Sequence, residues 1–273
     1  MNSLLPSQAL TFRERLAQFY KTSWAYAEHL AQEDGNYFRR YLSLVNKYGT
    51  EAGTLLDAGC GTGLSSYLLS EGKRKVVGID LSELFLQQGR REDAGGNLLL
   101  AAADILNLPF QDQSFDLVGS YLVVEFLPDV PRGVEEMIRV LRKGGILLMV
   151  TPNLLSPVWP LRDFFHIVLG GSPRPVWCEN ARSALATFWR NLLLTVKKGF
   201  QRKSEFLYRE PDLTCQRVVG RDSDSVYLAC PQDLVLFLKG KGFRILRKAG
   251  SSTWVERFFP SLSTAVEVVA QKI

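Results

Sequence analysis

Thr54-Leu55-Leu56-Asp57-Ala58-Gly59-Cys60-Gly61-Thr62-Gly63 is the stretch whose reading decides the fold. An apolar run of strand character ends near an acid, a turn follows with glycine at alternate positions, and Leu64-Ser65-Ser66-Tyr67-Leu68-Leu69 opens a helix. Three glycines strip the turn of side chains, so the backbone can bend tightly and a ligand can lie against it. The next apolar run, Lys75-Val76-Val77-Gly78-Ile79-Asp80, ends in a carboxylate about 20 residues past the glycines, the spacing at which an acid reaches a ribose. The expectation is a nucleoside-bearing ligand at the carboxyl end of a parallel sheet.

The glycines follow G-x-G-x-G, whereas a dinucleotide fingerprint is G-x-G-x-x-G with a pyrophosphate on the helix N-terminus. Asp57, two residues ahead of the first glycine, would repel a pyrophosphate and suits a ligand carrying ammonium and sulfonium charge. These residues resemble the first motif of the class I S-adenosylmethionine-dependent methyltransferases, an acid followed by G-C-G-T-G. The resemblance implies S-adenosyl-L-methionine as cofactor and S-adenosyl-L-homocysteine as product. It also implies an α/β fold: a Rossmann-like, seven-stranded, mostly parallel sheet with an antiparallel last strand, helices on both faces and a mainly helical insertion. An NAD-dependent oxidoreductase is the competing class for such a turn.

Later segments extend the likeness. Asn97 to Ala101 is a third strand, leading into Ala103-Asp104-Ile105-Leu106-Asn107-Leu108-Pro109-Phe110, which resembles the family's third cofactor segment. The resemblance implies that Asp104 accepts from the adenine amino group while Ile105 supplies an apolar wall and a backbone N–H. Ser114 to Tyr121 is a fourth strand, Val130 to Leu141 a helix closed by Arg142-Lys143-Gly144-Gly145, and Ile146 to Val150 a fifth strand. By the same resemblance Asp57, Gly59, Cys60, Gly61 and Gly63 hold the methionine end, Asp80 with Leu81 the ribose, and Leu122 the region of the sulfur. One departure stands out. Relatives commonly read Glu-His-Val/Leu-Pro-Asp after the fourth strand; here it is Glu125-Phe126-Leu127-Pro128-Asp129, so a histidine that serves some of them as base is missing.

The chain divides into a helical cover over residues 1–50, the cofactor-binding domain over 51–153 and 227–273, and an inserted lid or substrate region over 154–226. In the cover, Phe12, Leu16, Phe19 and Tyr20 fall at helical spacing, and Tyr26, Leu30, Tyr37, Tyr41 and Leu44 continue the stripe. The resemblance implies an aromatic closing over the methionine part, for which Tyr20 and Tyr26 are candidates. A helix from Leu81 to about Arg91 takes Ser82 as N-cap. After the insertion come a helix over Cys230 to Leu238, a strand from Phe243 through Leu246, and a last strand over Thr264 to Gln271, with Trp254, Phe258 and Phe259 on the connection.

The insertion is where acceptor choice is expected. Its first part is apolar (Val158, Trp159, Leu161, Phe164, Phe165), and Ala184 to Val196 reads as a helix with Leu185, Phe188, Trp189, Leu192 and Leu193 on one face. Lys197, Lys198, Arg202 and Lys203 follow. One reading is a lid that packs on the sheet and ends with cations suited to its own dipole. The other is a basic amphipathic segment, 154–203, in peripheral contact with an anionic membrane. The lid is the preferred reading, and either way the acceptor pocket is apolar.

Composition narrows the class. The 273 residues are 46% hydrophobic and 22% charged, as in a soluble globular protein, with a net charge of +5. The positive charge is scattered, without the aromatic and arginine interleaving of a single-stranded nucleic acid platform, so no nucleic acid partner is expected. Cys60, Cys178, Cys215 and Cys230 form no C-x-x-C pair, which argues against a disulfide framework or a metal site and for a reducing cytoplasm. Met1 to Pro6 does not start a signal peptide, and no apolar run approaches the roughly 20 residues of a membrane span.

The expected function is methyl transfer to a small or lipid-like acceptor, most plausibly at oxygen. Carbon methylation, as in quinone pathways, is the nearest variant, and a non-catalytic cofactor-binding scaffold is the second class. For the base, His166 in the insertion is preferred over His29 in the cover, with Glu125 and Tyr121 as rivals.

Overall fold

The computed structural model describes residues 11–72, 74–89, 96–171, 180–211, 213, 224–248 and 262–273. Cys178, Cys215, Trp254, Phe258, Phe259 and the far end of the helix expected to reach Arg91 lie outside them. Three helices come first: α1 (Phe12–Thr22), α2 (Trp24–Ala31) and α3 (Gly35–Tyr48). Thr11 opens α1 with a reciprocal capping box to Glu14, and Asp34 opens α3 by accepting from Asn36 and Tyr37. The domain follows as β1 (Thr54–Ala58), α4 (Leu64–Ser70), β2 (Lys75–Asp80), α5 (Glu83–Gln88), β3 (Leu98–Ala102), β4 (Phe115–Tyr121), α6 (Val130–Val140) and β5 (Leu141–Pro152). Then come α7 (Val158–Val168), α8 (Ala181–Gly199), α9 (Pro231–Gly240), β6 (Phe243–Arg247) and β7 (Ala265–Lys272). Ser82 caps α5, as its sequence position suggests.

The seven strands form one sheet in the order β3-β2-β1-β4-β5-β7-β6. Strands β1 to β5 run parallel, and β7 is antiparallel to both neighbours, β5 and β6. Successive β1 residues feed opposite faces: Leu55 packs with Tyr41 and Leu44 of α3, while Leu56 packs with Val134 and Met137 of α6. Helix α9 joins the second face through Leu234 and Leu238. The strand order reverses between β1 and β4, and that is where an open α/β sheet offers a crevice at its carboxyl edge.

One local expectation is corrected. Gly144 and Gly145 do not cap α6; the helix stops at Leu141, which is already extended (φ −80°, ψ 132°) and begins β5. Gly144 instead takes φ +76° inside β5, where the pairing with β4 slips between Phe115 and Leu117.

Candidate active site

The glycine turn is built by the end of β2. Gly59 and Cys60 both donate their N–H to the Ile79 carbonyl at 2.8 Å, and Gly61 donates to Asp80 Oδ2 at 2.9 Å. Gly59, Gly61 and Gly63 take φ of +81°, +58° and +80°, the left-handed region that favours glycine. A Cβ on Gly59 would also overlap Val123 from the loop after β4. Asp80 Oδ1 accepts from Ser82 N at 2.9 Å. Burial pushes this carboxyl up to about 6 despite those two backbone donors.

Asp57 sits one layer lower. Its carboxylate is buried and accepts from Tyr41 Oη (2.8 Å), Ser65 Oγ (2.6 Å) and Ser66 Oγ (2.7 Å). Its strand neighbours are Gly78 and Gly119. A Cβ on Gly119 would overlap Tyr41 Oη, and one on Gly78 would overlap Ser66 Oγ, so the two glycines make room for the hydroxyls that satisfy the acid. Burial raises the Asp57 pKa while the three hydroxyls pull it back. The residue ties α3, β1 and the first turn of α4 together beneath the glycines.

Above the turn lies a cavity of about 320 Å³. Its floor is the carboxyl edge of β1, β2, β3 and β4, and its roof is α1 to α3. Asp104 Oδ1 accepts from Leu106 N at 2.8 Å, while Oδ2 takes Arg13 of α1 at 3.0 Å. Leu122 holds φ +56°, a conformation bulky residues avoid, and donates its N–H to Val150 O at 2.8 Å. Strained backbone of this kind concentrates at functional sites.

Aromatic rings close the roof. Tyr26 stacks on Phe85 (5.5 Å, 13°), and Tyr20 meets Tyr26 and Phe126 edge-on at 5.9 and 6.0 Å. Tyr20 Oη donates to the buried Asp224 at 2.8 Å, and burial with that charge drives its pKa well up. Phe126, standing where relatives often carry histidine, is thus part of the closure. Tyr121 stacks on Tyr41 and donates to the Tyr37 carbonyl at 2.8 Å, which fastens α3 to β4. Glu125 is 1% exposed, accepts from Thr151 Oγ1 at 2.7 Å, and its carbonyl takes the N–H groups of Val226 and Tyr227. His29 of α2 lines the cavity with its Nε2 3.3 Å from Glu33 Oε1.

The structure therefore gathers Gly59, Cys60, Gly61, Asp80, Leu81, Asp104, Ile105, Leu122, Tyr20, Tyr26, Tyr121 and Glu125 around one cavity. Three expected residues are elsewhere. Asp57 and Gly63 lie below the lining: the acid is turned inward onto hydroxyls, and a Cβ on Gly63 would press into Leu100. His166 is on α7 and packs against Gly171, away from the cavity. None of the described residues of 154–226 lines it; the roof belongs to the N-terminal helices, and the insertion touches the lining through the Asp224 to Tyr20 hydrogen bond and the Val226 N–H on the Glu125 carbonyl. Sequence reasoning passed over Arg13, Glu33 and Phe85, whose signal was the i, i+4 spacing of His29 with Glu33 and the aromatic at the start of α5.

Electrostatics select the ligand class. Four acids line the cavity, Glu33, Asp80, Asp104 and Glu125, against one described lysine or arginine, Arg13. Such a surface disfavours a pyrophosphate and accommodates a sulfonium and an ammonium. The cradle free of Cβ atoms, the acid at the tip of β2 and the acid after β3 fit S-adenosylmethionine. Among the described residues no group of three or more His, Cys, Asp or Glu side chains could hold a metal ion.

Comparison with known proteins agrees. Residues 56–149 match the methyltransferase domain family Methyltransf_11. The chain is 39% identical over 97 residues to a malonyl-[acyl-carrier protein] O-methyltransferase of Serratia marcescens, covering 36% of this chain and 37% of the relative. It is 37% identical over 110 residues to a demethylmenaquinone methyltransferase of Staphylococcus epidermidis, covering 39% and 45%. The chain thus spans less than half the length of these curated relatives. The fold extends further: the structure of magnesium protoporphyrin IX methyltransferase from Synechocystis with bound S-adenosylhomocysteine superposes at a TM-score of 0.57, covering 96% of this chain and all of that one at 14% identity. Sheet order, turn, acids and matches lead to one conclusion, that this chain carries a class I, S-adenosylmethionine-dependent methyltransferase domain.

Proposed function

We propose that the chain transfers a methyl group from S-adenosylmethionine to a small, largely apolar acceptor, at oxygen. The observation that carries this reading is the convergence of Asp80, Asp104 and the glycine turn on a cavity that α1 to α3 close with aromatic rings. When bound, the cofactor supplies a methyl group already activated for in-line displacement. The chain's own residues then have to bind, orient and exclude water, which is where most of the rate of such a transfer comes from. Asp80 would hold ribose hydroxyls and Asp104 the adenine amino group, while the glycine turn, by its close backbone approach, would seat the methionine end. Tyr20, Tyr26 and Phe126 would exclude water above it.

A hydroxyl acceptor, unlike a carboxylate, gives up a proton as it is methylated. His29 is the group we propose to take it, because it lines the cavity and Glu33 stands ready to offset the charge gained. Tyr121 is committed to the Tyr37 carbonyl and serves to position the roof, while Glu125 keeps Thr151 and the 226–227 backbone in place. The demethylmenaquinone relative supports carbon as the variant acceptor atom.

The test is turnover of methyl-labelled cofactor with fatty-acyl, quinone and whole-lipid-extract acceptors. An organic-soluble labelled product is expected, removed by base if the methyl is on an ester oxygen and retained if on carbon. Cofactor binding in calorimetry with no product from any acceptor would leave a non-catalytic scaffold. Thermal stabilisation by a nicotinamide cofactor instead of S-adenosylhomocysteine would overturn the reading altogether. The fold carries no described helix long and apolar enough to cross a membrane, and a reducing cytoplasmic setting is the one in which the buried thiols Cys60 and Cys230 stay free.

A further inference from the structure

Helix α8 is inside out. Apart from Ala184, the residues it turns to the core are polar: Asn191 Nδ2 donates to the carbonyls of Leu154 and Ser156 (3.3 Å each), and Thr195 Oγ1 donates to Leu155 O (3.0 Å). Lys198, 2% exposed, donates to both oxygens of the fully buried Asp233 at 2.9 Å and to the Glu205 carbonyl. On the opposite side Leu185, Trp189, Leu193, Val196 and Phe200 recur at spacings of three and four, which makes one stripe. Their exposures run from 40% to 84%. Helix α7, packed along α8, adds Phe165 (55%) and Leu169 (84%). Single exposed apolar residues are ordinary, but a continuous stripe marks a surface that meets something.

Charge says what it meets. Residues 158–203 hold eight basic and two acidic side chains; with Lys198 neutralised by the buried Asp233 they carry +5, the whole net charge of the chain, so the positive charge expected to be scattered is gathered here. Arg182, Arg190 and Lys197 are exposed beside the stripe. Two copies of so basic a hairpin would repel each other, whereas an anionic lipid surface would neutralise it and receive the apolar side chains at once. We propose that α7 and α8 dock on an anionic bilayer surface, with the α8 stripe in the boundary between headgroups and acyl chains. The inference stands on exposure and charge and does not depend on the reaction proposed above.

The experiment is co-sedimentation of the whole chain with vesicles of phosphatidylcholine alone and of phosphatidylcholine mixed with phosphatidylglycerol. Binding is expected only to the anionic vesicles, and it weakens as salt is added. Trp189→Glu with Leu193→Glu should weaken it by roughly tenfold or more, and so should Arg182→Glu with Arg190→Glu and Lys197→Glu. Both variants should melt and bind S-adenosylhomocysteine like the wild type, which separates loss of docking from loss of fold. Absence of sedimentation with anionic vesicles, or binding undiminished in both variants, would overturn the proposal. So would a wild-type dimer that does not bind vesicles and that Trp189→Glu with Leu193→Glu dissolves into monomers, since the stripe would then be covered by a second copy.

Discussion

Helices α3 and α8 are both amphipathic, both dock on the sheet domain, and turn opposite kinds of face toward it. Helix α3 buries Phe38, Tyr41, Leu44 and Val45 and leaves its polar side outward. Helix α8 buries Ala184, Asn191 and Lys198 and leaves leucines, a tryptophan and a valine outward. The first arrangement is held by apolar burial, so it needs only a complementary apolar surface. The second is held by directional bonds: carbonyls capped by Asn191 and Thr195, and one ion pair excluded from water. The consequence is a division of labour. The N-terminal helices, packed apolar side in, make the roof of the cofactor cavity, while the inserted helices keep their apolar side available.

The sharpest test of that division compares two histidines. His29 lies in the roof and lines the cavity, while His166 lies in the insertion and does not. With a hydroxyl acceptor, His29→Ala should slow turnover by roughly 10²- to 10⁴-fold, the usual contribution of a proton acceptor, and His166→Ala should leave kcat unchanged. Single-turnover rates at saturating cofactor would check both. A collapse in His166→Ala with a normal His29→Ala would return the acceptor site to the insertion and break the comparison.

Next in size is the anchor of α8. Lys198→Met removes the cation from an Asp233 that has no exposed surface, so it should destabilise the chain by about 3–5 kcal/mol in denaturant titration. Restoring an apolar match with Lys198→Met and Asp233→Leu together should recover much of the loss, because the penalty comes from the unpaired charge. Leu44→Ala in α3 should cost about 2–5 kcal/mol by a different route, the cavity left behind. A near-silent Lys198→Met would mean that α8 is held by something other than its buried polar face.

Why these two helices differ was only partly legible in the chain. The strands were, because apolar runs, a glycine turn and an acid at the end of β2 are local patterns, while the seven-stranded sheet with its antiparallel last strand was legible through the family resemblance. The direction α8 faces was not. Its apolar residues have the spacing of a core helix, and the decision rests on Asn191 and Lys198, whose partners lie 37 and 35 residues away along the chain. Periodicity reveals that a stripe exists, and long-range hydrogen bonding decides which way it points. The place of Asp57 beneath the cavity was hidden for the same reason: its three hydroxyl partners come from α3 and α4, and the two glycines that admit them sit on neighbouring strands. That His29 lines the cavity was hidden too, since nothing in sequence says that α2 folds over the carboxyl edge.

A smaller effect tests the floor of the cavity against its roof. Asp80→Asn should weaken cofactor binding by about 1–3 kcal/mol, the range for hydrogen bonds to a charged group. The wild type should also lose affinity as pH falls through about 6, where Asp80 takes up its proton and stops being a full acceptor for ribose hydroxyls. Asp80→Asn should flatten that dependence in calorimetry. In the free chain the sign reverses. The folded acid keeps its proton up to about 6 and the unfolded one releases it near the ordinary 3.8, so its burial favours folding at low pH. That contribution is lost as pH rises from 3.8 through about 6. An affinity unaffected by pH in the wild type would take Asp80 out of the ribose site.

The smallest effect is the most pointed. Leu193 is 69% exposed, so Leu193→Gln removes almost no buried apolar surface and should change stability by no more than about 0.5 kcal/mol. In an ordinary amphipathic helix the leucine of the apolar stripe is the residue whose loss costs most, as Leu44 should show in α3. If Leu193→Gln melts with the wild type, the apolar face of α8 contributes nothing to folding of the free chain, and its leucines, valine and tryptophan are there for contact with another phase. If it destabilises as Leu44→Ala does, the stripe is packed in solution, and α8 is a core helix after all.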